Sequence, residues 1–167
     1  MFTTIEHFEE IWSQEMKFSQ NVIDALTDES LDQAVADDHR TLGQMAWHIV
    51  TTIPVMATML DLSLEGPDLN APVPDSAADI GQAYKKVSET LLGTIKDGWD
   101  DTTMHQEDDL WGERWKRGKT LQILIAHEIH HRGQMTVLMR QAGLKVPNIY
   151  GPAKEAWDEY GAPPPEV

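Results

Sequence analysis

Apolar residues return at helical spacing in four long stretches of this chain. In the first, Ile5, Phe8, Trp12, Met16, Ser19, Ile23 and Leu26 share one face. A capping box of Thr3 and Glu6 predicts a helix from Thr3 to about Leu26. The second opens at Thr41 and carries Gln44, Met45, His48, Thr52, Val55, Met56 and Met59 on its stripe. Pro54 removes a backbone bond to Val50, which predicts a kink within a helix reaching about Leu62. The third is capped by Asp75 or Ser76, runs along Ile80, Tyr84, Val87, Leu91 and Ile95, and ends at Gly98. The fourth spans Thr120–Ala142, with Thr120 as N-cap and Gly143 as its stop. On it Leu124, His127, His131, Gln134, Met135 and Leu138 fall within about 100° of one another.

The connections read as loops. Residues 27–40 are polar and acidic, with one short turn around Leu31–Val35, and 65–74 holds Gly66, Pro67, Pro72 and Pro74. Residues 99–118 form an acidic loop with a small aromatic-anchored turn at Trp111–Trp115. After the fourth helix, Leu144–Gly151 is extended. Pro152 starts a short terminal helix to Tyr160, and Ala162–Val167 is a frayed tail. No stretch reads as a linker, so residues 1–167 form one all-α domain of four long helices with a short extra C-terminal helix.

Histidines occupy the middle of two of these apolar stripes. His127 and His131, at i and i+4, stack about 6 Å apart at Cβ, close enough to chelate one ion. A lone histidine on such a stripe is more often a hydrogen-bonded core residue, so a third is needed. Arg40-Thr41-Leu42 precedes His48 as Lys119-Thr120-Leu121 precedes His127, which sets each histidine two turns below its helix start. With the helices side by side, His48 meets His127 and His131. Three neutral imidazoles leave positions open for water or substrate, a catalytic pattern that suits zinc, nickel or ferrous iron. Gln134, one turn past His131, is placed to hydrogen-bond a metal-bound water, and Glu128 to orient a ligand imidazole. His130 is offset from the triad, while His7 and His39 read as surface and loop residues.

Bulk properties narrow the partners. A net charge of −15 argues against nucleic acid and against an anionic membrane surface. With no cysteine there is no thiolate ligand, disulfide or cysteine nucleophile. The N-terminal residues lack a signal-peptide pattern, so the cytoplasm is the expected location. Residues 47–64 are the most apolar long stretch, but His48, Pro54 and Asp61 oppose a membrane span. Ile125 and Ile129 project opposite the histidines, so the fourth helix is apolar on two sides in its first half. That predicts a homodimer, unless another segment of the chain covers the face.

His127-Glu128-Ile129-His130-His131 also matches the H-E-x-x-H metalloprotease signature. Its extended form fails, because Gln134 and Val137 stand where a glycine and a third histidine would be needed. A different resemblance covers most of the chain. Thr41-Leu-Gly-Gln-Met-Ala-Trp-His48, then Leu124-Ile-Ala-His127-Glu-Ile-His-His131-Arg-Gly-Gln134, then Leu144-Lys-Val-Pro-Asn-Ile-Tyr150 resemble the DinB-like family. The resemblance implies a four-helix bundle, often dimeric, with His48, His127 and His131 on one divalent metal. Characterised relatives include bacillithiol-dependent S-transferases and a mycothiol-dependent maleylpyruvate isomerase.

Two functions follow as expectations. One is a metal-dependent enzyme, a thiol-dependent S-transferase acting on small electrophiles with a low-molecular-weight thiol as cofactor. The other is a non-catalytic metal-binding, stress-response module. Thiol cofactors commonly carry carboxylates, so an acidic protein needs a local basic surface. Arg114, Lys116, Arg117 and Lys119, just ahead of the fourth helix, are the expected contacts, with Arg132 a poorer one. Trp47, Trp111 or Trp115 would wall the electrophile's pocket.

Overall fold

Three of the four long helices begin on a side chain that takes up a free backbone amide of the first turn. The structure, a computed structural model, describes residues 1–163 and 166. The first helix, α1 (Ile5–Asp24), is capped by Thr4, whose Oγ1 accepts from the His7 amide at 3.2 Å; Thr3 lies outside it. The second, α2 (Leu42–Thr58), has the reciprocal Thr41–Gln44 box, and α3 (Ala77–Gly98) is capped by Ser76. The helix α2 passes through Pro54 and stops at Thr58 rather than Leu62. Asp61 then turns the chain with φ at 56°, a left-handed conformation that Asp tolerates better than most residues.

The expected loop at 99–118 contains a β-hairpin. Its strands β1 (Glu107–Leu110) and β2 (Glu113–Lys116) pair antiparallel, with Leu110 opposite Glu113. Trp111 and Gly112 both have positive φ, 54° and 83°, the requirement of a two-residue type I′ turn. Asn-Gly or Asp-Gly would have announced that turn; Trp-Gly concealed it. The hairpin brings the Arg117 amide to the Gln106 carbonyl at 2.9 Å. The fourth helix, α4 (Arg117–Gln141), therefore starts at Arg117, and Thr120 is not its cap but a fully buried residue inside it. Gly143, with φ at 79°, ends α4 as expected.

In the bundle α1 and α2 each pack on both α3 and α4. The helices α2 and α4 are antiparallel. Arg117, at the start of α4, pairs with Asp61 beyond the end of α2, while Met45 and Leu138 share a cavity at the other end. Ile125 is buried within the chain and Ile129 packs half-buried against the core. The face that predicted a dimer is thus partly taken up inside the chain, fully at Ile125 and in part at Ile129.

The 27–41 connection bears directly on the site. A 3-10 turn lies at Asp28–Ser30, slightly before the expected position, and Leu31 is buried against Gly43. A Cβ on Gly43 would sit 3.0 Å from the Leu31 Cβ, so glycine permits the close approach. The Gly43 and Leu42 amides donate to the Leu31 and Gln33 carbonyls at 2.9 and 2.7 Å. These bonds satisfy the first turn of α2 and fold residues 33–40 back toward α4. After α4, Val146 and Ile149 pack on the core and a 3-10 helix spans Lys154–Tyr160. It is the short terminal helix expected from Pro152, starting two residues later and ending at Tyr160 as expected. The tail expected to fray lies partly outside the described residues, at positions 164, 165 and 167. No helix among the described residues is long and apolar enough to cross a membrane.

Candidate metal centre

His48, on the second turn of α2, meets His127 and His131 in the middle of α4. The expectation of equal depth from each N-terminus holds only for α2. The helices run in opposite directions, so what matters is that the second turn of one lies opposite the middle of the other. His48 Nε2 is 3.2 Å from His127 Nε2, which is 3.1 Å from His131 Nε2. The three rings stand at 65° to 83° to one another, edges inward, and each is half-buried.

Ring chemistry tests whether a cation fits. Gln134 Oε1 lies 2.7 Å from His131 Nδ1; an amide oxygen only accepts, so Nδ1 carries the proton and Nε2 presents its lone pair. His127 Nε2 can at best share one proton between two neighbours, whereas a central cation would satisfy all three lone pairs. Ligands 2.0–2.1 Å from a metal lie about 3.3 Å apart in tetrahedral and about 3.0 Å apart in octahedral geometry. The observed contacts of 3.1 and 3.2 Å fit either. Burial, then the Arg40 charge and His131, lower His48 to about 4. Burial and the neighbouring histidines bring His127 to about 4 as well. Burial also lowers His131, against the pull of its bond to Gln134. At neutral pH all three are in the unprotonated state that ligation needs. Among the described residues no carboxylate or fourth imidazole joins the cluster, and His130 stays exposed beside it.

The polar neighbours are distributed otherwise than the sequence predicted. Gln134 bonds a histidine ring rather than being reserved for a metal-bound water. Glu128 does not orient an imidazole. It is 1% exposed on the core side of α4 and accepts from Ser19 Oγ and Tyr84 OH, both at 2.6 Å. Burial pushes its carboxyl up to about 7. The H-E-x-x-H protease reading therefore loses its general base, because Glu128 is committed to α1 and α3. Arg132, 1% exposed, bonds Glu15, Ser19 and Tyr150 in the same interior network.

The basic residues expected to bind substrate are not brought to the histidines. Arg117 bonds Asp108 and Asp61, each at 3.0 Å, and Arg114 bonds Glu107 at 3.0 Å. Lys119 sits 3.9 Å over the Trp115 ring, and Lys116 is half-buried at the end of β2. Arg117 begins α4 about 15 Å of helix rise before His127. Trp47 is buried and donates to the Ala71 carbonyl at 2.9 Å, holding the 65–74 loop in place. Trp111 and Trp115 pair at the hairpin, their rings 5.6 Å apart. The cation whose charge reaches all three histidines is Arg40. Sequence reasoning assigned it no role, although it stood in the Arg-Thr-Leu echo before His48.

A helical bundle whose half-buried histidines converge on one point is the class that the fold and the cluster define. The DinB family profile matches residues 1–166, and this chain belongs to that family. It is 42% identical to the Bacillus subtilis (strain 168) protein YrdA, described as uncharacterized, over the whole of both chains. The crystal structure of a DinB-like protein from Bacillus cereus ATCC 10987 is similar, with a TM-score of 0.87 and 45% identity. That similarity covers 90% of this chain and all of the other. YjoA, a DinB-like protein from Bacillus subtilis, shares the fold at a TM-score of 0.65 and 17% identity, over 87% of this chain and 96% of its own. Family and cluster together are compatible with metal binding.

Proposed function

We propose that the protein is a metal-dependent thiol S-transferase in which His48, His127 and His131 hold one divalent cation, zinc, nickel or ferrous iron. The observation that carries this reading is the convergence of three Nε2 atoms with no fourth protein ligand among the described residues, beside an open cavity. A divalent cation supplies Lewis acidity that makes a coordinating thiol a stronger acid and so a nucleophile near neutral pH. The chain's own part is positional. Gln134 fixes the His131 tautomer, α2 and α4 hold the rings edge-inward, and the low basicity of the imidazoles keeps them unprotonated. The thiol sulfur forms a bond to the electrophilic carbon, the leaving group departs with its electron pair, and the thiol proton passes to solvent. The thiol comes from outside, since the chain has no cysteine.

Elemental analysis of untagged protein, joined to conjugation of 1-chloro-2,4-dinitrobenzene with a panel of small thiols, tests the proposal. One metal per chain and thiol-dependent, chelator-sensitive conjugation are expected, with both lost in His127→Ala. Metal uptake without any thiol reaction would leave a non-catalytic metal-binding module as the better account.

A further inference from the structure

The cavity that opens on His131, at the edge of the histidine cluster, has walls of two kinds. It encloses about 390 Å³ between the 35–40 segment and α4, a volume in the range of small-molecule sites. His131 and Gln134 form its polar inner side, while Val35, Met45, Val137 and Leu138 form an apolar wall. Val35 and Val137 are 59% and 53% exposed, so two of the chain's exposed large hydrophobic side chains face one cavity. Arg40 lines the same space. Of the five arginines it alone is in no ion pair among the described residues. The adjacent Asp38 carboxylate is already bonded to His39 Nδ1 at 2.7 Å. On a protein of net charge −15 an unpaired guanidinium beside an apolar wall is matched to an anion carrying hydrocarbon.

We propose that this cavity takes a small amphipathic carboxylate, its charged end on Arg40, its hydrocarbon along Met45, Val137 and Leu138, and its far end toward the histidines. This names the substrate class of the proposed transferase site, and the direction of the far end rests on that reading. It also relocates the basic surface that an acidic thiol-using protein needs. That surface is a single arginine ahead of α2, not the cluster ahead of α4.

Binding to the metal-stripped protein, followed by NMR shifts of the Met45, Val137 and Leu138 methyl groups, tests the cavity apart from the metal. Hexanoate should bind about tenfold tighter than hexan-1-ol at low salt, a preference that shrinks as salt is raised. Arg40→Gln, an exposed side chain whose loss leaves the core untouched, should abolish the preference, and Arg114→Gln should preserve it. Val137→Ser should weaken both ligands alike. Equal binding of hexanoate and hexan-1-ol, or an undiminished preference in Arg40→Gln, would overturn the proposal. In the metal-loaded protein 6-mercaptohexanoate should bind tighter than hexanoate, and equal affinity would overturn the orientation. Failure to load metal at all would sink the proposed function, while the hexanoate preference of the metal-free protein would still be readable.

Discussion

Two faces of α4, one residue apart in sequence, do opposite things with polar side chains. His127 and His131 are half-buried, and their lone pairs turn toward one another and toward open space. Glu128 and Arg132, about 100° further round the helix, are each 1% exposed and bond α1, α3 and the segment after α4. The outer pair leaves its capacity for an external ligand, and the inner pair uses its capacity on the fold. A five-residue motif that spans both faces therefore says little about which of its members share a task.

The division can be broken most forcefully at Arg132. Arg132→Ala leaves Glu15 and Glu128 buried without their cation and should destabilise the fold by about 3–5 kcal/mol in urea denaturation. Metal content of the remaining folded protein should be unchanged. His127→Ala should do the reverse, abolishing metal uptake while leaving the metal-free unfolding midpoint nearly in place. A variant that lost fold and metal together at either position would show the faces to be coupled.

Gln134 sharpens the outer side. Without its bond at 2.7 Å the His131 ring is free to change tautomer and rotate. Gln134→Ala should weaken metal affinity by about 10–100-fold in a competition titration with a chelator. The melting temperature of the metal-free protein should hardly move.

The smallest effect is also the most diagnostic, because the two faces respond to pH with opposite sign. His48 and His127, lowered to about 4 from 6.5, bind protons more readily in the unfolded chain between those values. Their contribution is full above the unfolded value and is lost as pH falls toward 4. Glu128, raised to about 7 from 4.5, holds its proton more tightly in the folded chain. Its contribution is full below 4.5 and is lost as pH rises through 7. In the metal-free protein, Glu128→Gln should therefore make stability climb more steeply between pH 4.5 and 6.5. His127→Ala should make it climb less, both read from urea midpoints across that range.

The outer face was far more legible in sequence than the inner one. His127 and His131 share a helical stripe by local periodicity, and His48 announced itself as a histidine at the centre of another. Equal depth from two N-termini would bring histidines together on parallel helices, whereas α2 and α4 are antiparallel and pair the second turn of one with the middle of the other. The inner network gave no such signal. Ser19 and Glu128 are 109 positions apart, and Glu15 and Arg132 are 117 apart, so no periodicity links them. Ser19 did fall on the predicted apolar stripe of α1, and a polar residue there was the available clue. The hairpin was missed because its turn uses tryptophan in a conformation usually given to Asn or Gly. The basic cluster ahead of α4 stands out in sequence by its like charges alone, whereas in the fold Arg114 and Arg117 are each bound by acids of the same hairpin.

The distance between His48 and His127 along the chain has a consequence during synthesis. They lie 79 residues apart, and at about 5–20 residues per second the second follows the first by roughly 4–16 s. Through that interval the growing polypeptide offers His48 without either partner, a weak and unselective ligand for any passing cation. A three-nitrogen grip forms only once α4 has been made and has docked antiparallel on α2. A cation held by all three imidazoles would therefore be captured only late, after the bundle has closed.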